Sequence, residues 1–191
     1  MTGLLRSLPN ALTVARIVLV GPLAWLLLNG YAMEALVLAF GLGLSDWLDG
    51  ALARGFNWQS RLGGMLDPIA DKLLLLTVYS VLVFLDELPL ALLALALIRD
   101  AVIVAGAIAW HFLVEEFRAE PTRLSKFNTA AQIGLMWAFL MDMAVPGVVP
   151  EMLKSGLIYL VAATLLTTLV QYVAVWGRRT LAHRRAKGVG E

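Results

Sequence analysis

The sequence predicts an all-α integral membrane protein with six transmembrane helices. Of the 191 residues, 60% are hydrophobic and 15% are charged, a composition far more apolar than that of an ordinary soluble domain. The apolar residues are gathered into six runs, each close to the roughly 20 residues that a helix needs to cross a bilayer. The connections between the runs are too short to separate two domains. We therefore predict a single transmembrane domain over 1–191, with a short juxtamembrane segment at 1–10 and a basic tail at 177–191.

Each run ends at residues that break helices or carry charge. The connecting stretches, in order, are "NGYAME", "RGFNWQSR", "DELP", "EEFRAEPTR" and "MAVPGVVP", and such clusters favour turns and loops. The predicted spans are Ala11–Leu28, Ala32–Ala53, Gly63–Leu85, Leu88–Phe112, Ser125–Val145 and Pro150–Val175. Pro68 lies inside the third run, and proline fits best in a first turn. We therefore expect the helix that carries Asp71 to begin near Asp67, or to bend there.

Lysine and arginine are distributed unequally over the two sides that the spans define. The cations on the side of both termini are Arg6, Arg54, Arg61, Arg118, Arg123, Lys126, Arg178, Arg179, Arg184, Arg185 and Lys187. The charged residues of the opposite connections are Lys154, Glu34, Asp86, Glu87 and Glu151. Because cytoplasmic segments carry the excess of Lys and Arg, both termini are predicted to be cytoplasmic. We interpret the basic tail as a segment that fixes topology at the membrane surface, with a specific anionic-lipid site as the alternative.

Four aspartates lie around the connection between the second and third helices, within "SDWLDGALARGFNWQSRLGGMLDPIADK". The spacing i, i+3, i+4 and i+7 places two carboxylates and two small residues on one face of the second helix, namely Asp46, Asp49, Gly50 and Ala53. A similar face of the third helix holds Gly63, Asp67 and Asp71. Because the connection is short, the two helices are predicted to be antiparallel neighbours. The four carboxylates are expected to converge on the cytoplasmic side.

Converging carboxylates in a membrane protein need a positive partner. A charged side chain at membrane depth costs ~2.5–3.5 kcal/mol even on the lenient insertion scale, and like charges repel. The chain has no cysteine, so metal ligands must be oxygen atoms or His111 and His183, and an oxygen set suits Mg²⁺ or Mn²⁺. We predict a site for two such ions, with phosphate groups attracted by Arg54, Arg61 and Lys72.

The acidic stretch resembles the signature of the CDP-alcohol phosphatidyltransferase family. It reads D-x2-D-G-x2-A-R-x8-G-x3-D-x3-D and is complete in this chain. The resemblance implies the fold of that family and a homodimeric membrane enzyme that transfers a phosphatidyl group from CDP-diacylglycerol to an alcohol and releases CMP. It also implies contact with membrane lipids, and no nucleic acid is expected as a partner.

The resemblance further implies roles for single residues. The metal ligands would be Asp46, Asp49, Asp67 and Asp71. The nucleotide-binding residues would be Asp49, Gly50, Ala53, Arg54, Arg61 and Gly63. Asp71 would also be the general base, since a carboxylate within hydrogen-bond reach can accept the proton of an attacking hydroxyl. A site at the cytoplasmic face of a bacterial inner membrane would offer water to the nucleotide and lipid to the acyl chains.

Other segments indicate which alcohol is the acceptor. The opening "LPNALTVARIVLVGP" resembles the glycerol-directed branch of the family, which comprises phosphatidylglycerolphosphate synthases and cardiolipin synthases. The segments "RD" at 99–100, "PTRLSKFNTAAQ" at 121–132 and "VWGRRT" at 175–180 favour the cardiolipin synthases. The acceptor predicted from this resemblance is phosphatidylglycerol, which would give cardiolipin. The alternative acceptor is glycerol 3-phosphate.

Both candidate acceptors carry a phosphate group, so positively charged residues within the predicted spans are candidates for binding it. The candidate acceptor-binding residues are Arg16, Lys72, Arg99 and Lys126, because an intramembrane cation is a functional hypothesis by default. Arg16 and Lys126 have snorkelling to the membrane interface as an alternative. Pairing of Arg99 with Asp100 is disfavoured, since adjacent residues on a helix point in different directions. The polar residues Asn128, Thr129 and Gln132 are interpreted as helix-packing groups.

Two readings compete with a phosphatidyltransferase. The aspartates could be helix-end residues or members of charge pairs without chemistry. A cation transporter also uses buried carboxylates, but it predicts inverted repeats or broken helices in two corresponding halves, and neither pattern is visible in the sequence. The confinement of the aspartates to one hairpin, with Gly and Arg at fixed intervals, favours binding of a nucleotide diphosphate.

Overall fold

The computed structural model describes residues 8–55, 61–113 and 122–188, and every regular element in these ranges is a helix. The helices are α1 (Leu8–Leu28), α2 (Ala32–Gly55), α3 (Arg61–Phe84), α4 (Leu90–Leu113), α5 (Arg123–Ala144) and α6 (Glu151–Gly188). Within these ranges the predicted all-α class and six helices are confirmed. The boundaries of α1 to α5 agree with the prediction to within three residues.

Two expectations about helix limits differ from the structure. α3 begins at Arg61, two residues before the predicted Gly63, and contains Pro68 in its interior, so the alternative start near Asp67 is wrong. Proline removes one backbone hydrogen bond, but Asp67 and the fully buried Ala70 make tertiary contacts on either side of it, and the helix continues. α6 continues past Val175 to Gly188 and takes most of the predicted basic tail into the helix.

Hydrogen bonds and two glycines in the left-handed region form the turns at the helix ends. Gly30 follows α1 at φ +79°, the left-handed region that favours glycine, and the amides of Gly30 and Tyr31 donate to carbonyls in the last turn of α1. Gly147 follows α5 at φ +81°, and its N–H donates to the carboxylate of Asp142 at 3.0 Å. Thr122 caps α5, because its Oγ1 accepts a hydrogen bond from the amide of Ser125.

The described residues divide into two compact units. The first takes the residues up to Leu88 together with Met136–Glu151, and the second takes Pro89–Leu135 and the residues from Met152 onward. In the first unit α1 packs against both α2 and α3. Leu23 and Leu27 of α1 are buried there, and α2 contributes Ala35 and Ala39, whose small side chains permit close approach of the helices.

The second unit has a more polar interior. Its buried residues include Val161 and Leu165 of α6, but also Asn128, Thr164 and Thr168. Thr164 donates to the Asn128 side chain at 2.9 Å, and Thr168 donates to backbone carbonyls of its own helix. Such bonds satisfy polar groups that have no access to water.

The surface of the helices is largely apolar. Two of them have the length and composition of a membrane span among the described residues, at Ala11–Leu28 and Glu151–Val175. Large apolar side chains are exposed on every helix, for example Val18, Phe40, Phe84 and Tyr159. Large exposed patches of this kind are typical of surfaces that meet an apolar partner.

Candidate active site

The predicted aspartates lie on two helices that share α1 as a neighbour. Asp46 and Asp49 are one turn apart near the end of α2, and Asp67 and Asp71 are one turn apart in the first half of α3. The side chain of Asp49 lies outside the part that the structure describes. We call the other three residues, Asp46, Asp67 and Asp71, the acidic cluster.

Arg16 of α1 joins aspartates from the other two helices. Its side chain is 1% exposed, and its Nη1 atom lies 2.6 Å from Oδ1 of Asp46 and 3.2 Å from Oδ1 of Asp71. The contact with Asp71 is also a hydrogen bond in which the guanidinium donates. One buried nitrogen therefore brings carboxylate oxygens of α2 and α3 together, as the spacing of the two acidic faces predicts for this pair.

Thr13 of α1 contacts the third member of the acidic cluster. Its Oγ1 donates to Oδ1 of Asp67 at 2.7 Å, and the residue is 1% exposed. Residues at i and i+3 lie on the same face of a helix, so α1 presents Thr13 and Arg16 together. All three carboxylates of the acidic cluster are therefore bonded to one face of α1.

The acidic cluster is accessible despite these bonds. The side chain of Asp46 is 42% exposed and that of Asp71 is 57% exposed, whereas Asp67 is half-buried. Carboxylates that combine fixed hydrogen bonds with exposed oxygen can accept a proton or bind a hard cation.

The chemistry of the acidic cluster fits a divalent cation. Mg²⁺ and Mn²⁺ take oxygen ligands, including one or two carboxylates with substrate phosphate and water. No three Asp, Glu, His or Cys side chains within the described part are grouped closely enough to hold an ion by themselves. Asp46 and Asp71 nevertheless lie within 3.2 Å of the same guanidinium nitrogen of Arg16, so two carboxylates from different helices share one cationic partner.

For most of the remaining predicted residues of this hairpin, the structure describes only the backbone. The nucleotide-binding candidates on the last turns of α2 and the first turn of α3 are Gly50, Ala53, Arg54, Arg61 and Gly63. Gly50 is half-buried, and the side chains of the other four lie outside the described part. Lys72 is exposed and follows Asp71 on α3.

Arg99 lies in a polar environment of the second unit. It is 6% exposed, its Nη1 donates to Oδ1 of Asp100 at 2.7 Å, and its Nη2 donates to Oγ of Ser125. The guanidinium carbon lies 5.9 Å from the ring centroid of Tyr172, within the range of a cation–π contact. The prediction that Arg99 and Asp100 do not pair is wrong, because the long guanidinium arm folds back along the helix to the adjacent carboxylate.

Two residues of α5 differ in environment. Lys126 is exposed, whereas Asn128 is fully buried and its Oδ1 accepts a hydrogen bond from Thr164. The expected packing role of Asn128 agrees with this contact between α5 and α6.

Three contact residues were not predicted from the sequence. Thr13 could have been found, because it stands one turn from Arg16 in "LTVAR" and shares its face. Ser125 and Tyr172 carry no such signal, since their contacts with Arg99 come from α5 and α6. Their proximity to Arg99 depends on the packing of three helices.

Similar proteins include two kinds of phosphatidyltransferase. A cardiolipin synthase (CMP-forming) of Rattus norvegicus is 35% identical over 150 residues, which cover 70% of this chain and 50% of the relative. A chloroplastic CDP-diacylglycerol–glycerol-3-phosphate 3-phosphatidyltransferase of Oryza sativa subsp. japonica is 30% identical over 183 residues, covering 87% of this chain and 56% of the relative.

A third relative is a longer fusion. The cardiolipin synthase (CMP-forming) / mitochondrial hydrolase fusion protein of Schizosaccharomyces pombe is 30% identical over 181 residues, covering 87% of this chain and 30% of the relative. The chain thus spans between about a third and about half of the length of these curated relatives. The family model for CDP-alcohol phosphatidyltransferase matches residues 6–176. The match includes the whole acidic motif and all six helices in whole or in part, and the chain belongs to the CDP-alcohol phosphatidyltransferase family.

Proposed function

We propose that the chain is a membrane-embedded enzyme that transfers a phosphatidyl group from CDP-diacylglycerol to a glycerol-type hydroxyl and releases CMP. The observation that carries this proposal is the meeting of Asp46 and Asp71 at Arg16, with Asp67 bonded to the same helix face through Thr13. In a chain of this family, carboxylates gathered from two helices are the groups that the transfer needs.

The acidic cluster and Asp49 would hold two Mg²⁺ or Mn²⁺ ions. The support is the oxygen-only donor set and the short separation of Asp46 and Asp71 from one nitrogen. A bound divalent cation supplies positive charge to the diphosphate, where negative charge develops as CMP departs.

Asp71 is the proposed general base. Its side chain is 57% exposed while one oxygen is anchored to Arg16, so the carboxylate is both oriented and accessible. The acceptor hydroxyl oxygen attacks the β-phosphorus, a new P–O bond forms, and the bond from that phosphorus to the oxygen of CMP breaks. The hydroxyl proton goes to Asp71, and CMP leaves with the bonding electron pair.

The nucleotide is proposed to lie along the facing ends of α2 and α3. Gly50, Ala53 and Gly63 have little or no side chain, which leaves room for a bulky ligand next to the aspartates. Arg54 and Arg61 supply positive charge for the phosphates on either side of the connection, and Lys72 follows the proposed base on α3.

Phosphatidylglycerol is the proposed acceptor, with cardiolipin as product. Support comes from the segments at 99–100, 121–132 and 175–180, and from the similarity to cardiolipin synthases at 30–35% identity. Glycerol 3-phosphate is the second candidate, because the rice relative named for that acceptor is 30% identical over 87% of this chain. Arg99 and Lys126 are the proposed acceptor-phosphate residues of the second unit, and the buried Nε of Arg99 has no hydrogen-bond partner among the described residues.

We further propose a homodimer in a bacterial inner membrane, with both termini and the site on the cytoplasmic side. The two helices that meet the criteria of a span, the apolar surface of all six helices and the distribution of Lys and Arg support the membrane location and the orientation. The homodimer is what the family resemblance implies.

A product assay tests the reaction. Purified protein in detergent is supplied with CDP-diacylglycerol, Mg²⁺ or Mn²⁺, and either phosphatidylglycerol or glycerol 3-phosphate. We expect metal-dependent CMP release with phosphatidylglycerol and formation of cardiolipin, detected by mass spectrometry, and no release after chelation. Formation of phosphatidylglycerolphosphate alone would overturn the acceptor assignment. Absence of CMP with every glycerol-type acceptor would overturn the enzyme assignment and return the transporter to consideration.

A further inference from the structure

α1 carries two fully buried polar side chains on one face. Thr13 and Arg16 are each 1% exposed, and they are separated by three positions, close to one helical turn. Arg16 is among the largest fully buried side chains of the described residues. A buried guanidinium is retained only where its charge is compensated, so this position demands an explanation beyond packing.

Residues of the acidic motif supply compensating charge in the contacts described above. Arg16 Nη1 contacts carboxylate oxygens of Asp46 and Asp71 at 2.6 and 3.2 Å, and Thr13 donates to Asp67 at 2.7 Å. Three of the four motif aspartates are therefore held by a helix that lies outside the motif.

We infer that Thr13 and Arg16 are positioning residues that orient the carboxylates of Asp67, Asp46 and Asp71 for cation binding. The burial of Arg16 disagrees with snorkelling to the interface, whereas binding of the acceptor phosphate by Arg16 stays a prediction. The guanidinium of Arg16 contacts two carboxylates of the acidic cluster and is therefore part of the candidate active site. The inference rests on the proposed function only in the identity of the ligand that the carboxylates receive.

Two physical effects produce the positioning. The positive charge of Arg16 offsets the repulsion between Asp46 and Asp71, which come from different helices. The hydrogen bond from Thr13 fixes one oxygen of Asp67 and leaves the other oriented for a ligand. Partners that hold ligating side chains by hydrogen bonds tune metal affinity, and their loss lowers it by roughly 10–100-fold.

Mn²⁺ binding to the full-length protein in detergent tests the inference without any need for turnover. The free Mn²⁺ is measured by electron paramagnetic resonance during titration of wild type, Thr13→Val, Thr13→Ser, Arg16→Gln and Arg16→Lys. We expect Thr13→Val and Arg16→Gln to raise the dissociation constant roughly tenfold or more. Thr13→Ser keeps the hydroxyl and should bind Mn²⁺ like wild type. Arg16→Lys keeps the charge but lacks the planar guanidinium, so its dissociation constant for Mn²⁺ should lie between those of wild type and Arg16→Gln.

Lys154→Gln is the matched control for loss of a buried cation. Lys154 is 6% exposed in the second unit, and its replacement should leave Mn²⁺ affinity unchanged. If Arg16→Gln does not fold, the comparison of Thr13→Val with Thr13→Ser still decides, because Thr13→Val keeps the shape of threonine without its hydroxyl and Thr13→Ser keeps the hydroxyl. Monodispersity and melting temperature in detergent establish that each variant is folded.

The outcomes separate this inference from the proposed reaction. Equal Mn²⁺ affinity of Thr13→Val, Thr13→Ser and wild type overturns the inference, as does a wild type that binds no Mn²⁺. If wild type binds Mn²⁺ and the variants weaken it, but no acceptor yields CMP, the positioning role stands and the proposed transfer fails. If wild type releases CMP and the variants bind Mn²⁺ normally, the proposed transfer stands and the positioning role fails.

Discussion

Asp71 combines an anchored oxygen with an accessible side chain. Arg16 donates to its Oδ1, while 57% of the side chain is exposed. The other described aspartate of α3, Asp67, is half-buried and bonded to Thr13. At the scale of residues, the three carboxylates of the acidic cluster are therefore in different environments, and their substitutions should have different effects.

Asp71→Asn should abolish transfer while retaining ligand binding. The amide keeps the size of the side chain and one oxygen but cannot take the proton of the acceptor, and loss of general-base catalysis costs about 10²–10⁴-fold in rate. CMP release measures the rate, and equilibrium binding of CMP measures nucleotide binding, which should stay close to wild type. Asp46→Asn and Asp67→Asn are the comparison variants and should also weaken Mn²⁺ binding. Normal turnover by Asp71→Asn would exclude it as the base.

Arg99→Lys should raise the KM for the acceptor and leave the KM for CDP-diacylglycerol unchanged. Lysine keeps the charge but loses the planar fork that reaches Asp100 and Ser125. A lost hydrogen bond to a charged group costs about 1.5–3 kcal/mol, so we expect the acceptor KM to rise by roughly 10- to 150-fold.

The control for this variant is Arg123→Lys, an exposed position at the start of α5, which should leave both KM values unchanged. Initial rates with each substrate varied in turn give the two constants. An equal rise in both KM values for Arg99→Lys would contradict an acceptor-specific role and indicate a general effect on folding.

At the scale of helices, much of the architecture was predictable from the sequence. Runs of about 20 apolar residues with Gly, Pro and charge between them predict six helices, because each feature acts locally. The i, i+3 and i+4 spacing also placed the aspartates on shared faces, and Asp46 and Asp71 do meet.

Interactions that depend on side-chain reach were not predictable. The sequence identified Arg16 as an intramembrane cation but did not indicate that it contacts Asp46 and Asp71, since this depends on how α1 packs against two other helices. The pairing of Arg99 with Asp100 was missed for a related reason, because the long flexible stem of arginine lets the guanidinium reach the adjacent carboxylate. The start near Asp67 that Pro68 suggested was wrong, because α3 continues through this proline from Arg61.

Thr164→Val should weaken the packing of α5 against α6. It removes the hydroxyl that donates to Asn128 and leaves a fully buried amide oxygen without that partner. An unsatisfied buried polar group costs about 1–3 kcal/mol, and the free energy of unfolding in mixed micelles should fall by that amount. Thr167→Val is the control, because Thr167 is exposed on the same helix and bonds only its own backbone. Equal destabilisation by both variants would assign no specific role to the Asn128 contact.

For the whole molecule, the exposed apolar surface of all six helices and the asymmetric charge predict one orientation in a membrane. The absence of native cysteine makes this orientation directly measurable. A single introduced cysteine is then the sole thiol of the chain.

Arg123→Cys and Glu87→Cys should react from opposite sides of the membrane. Both positions are exposed, Arg123 on the cation-rich side and Glu87 on the acidic side. In intact cells an impermeant maleimide should label Glu87→Cys, whereas Arg123→Cys should require permeabilisation. The cysteine-free wild type is the control. The reverse labelling pattern would invert the predicted topology and move the acidic motif to the outer face.

The contacts of Arg16 also bear on how the protein is made. α1 precedes α2 and α3 in the chain, so a ribosome synthesises the counter-charge before the carboxylates that it neutralises. When Asp46 and Asp71 emerge, a cationic partner is already present in the nascent protein. The positive charge of Arg16 is thus synthesised before the negative charges that it compensates. A fragment that begins at α2 would carry Asp46 and Asp71 without Arg16.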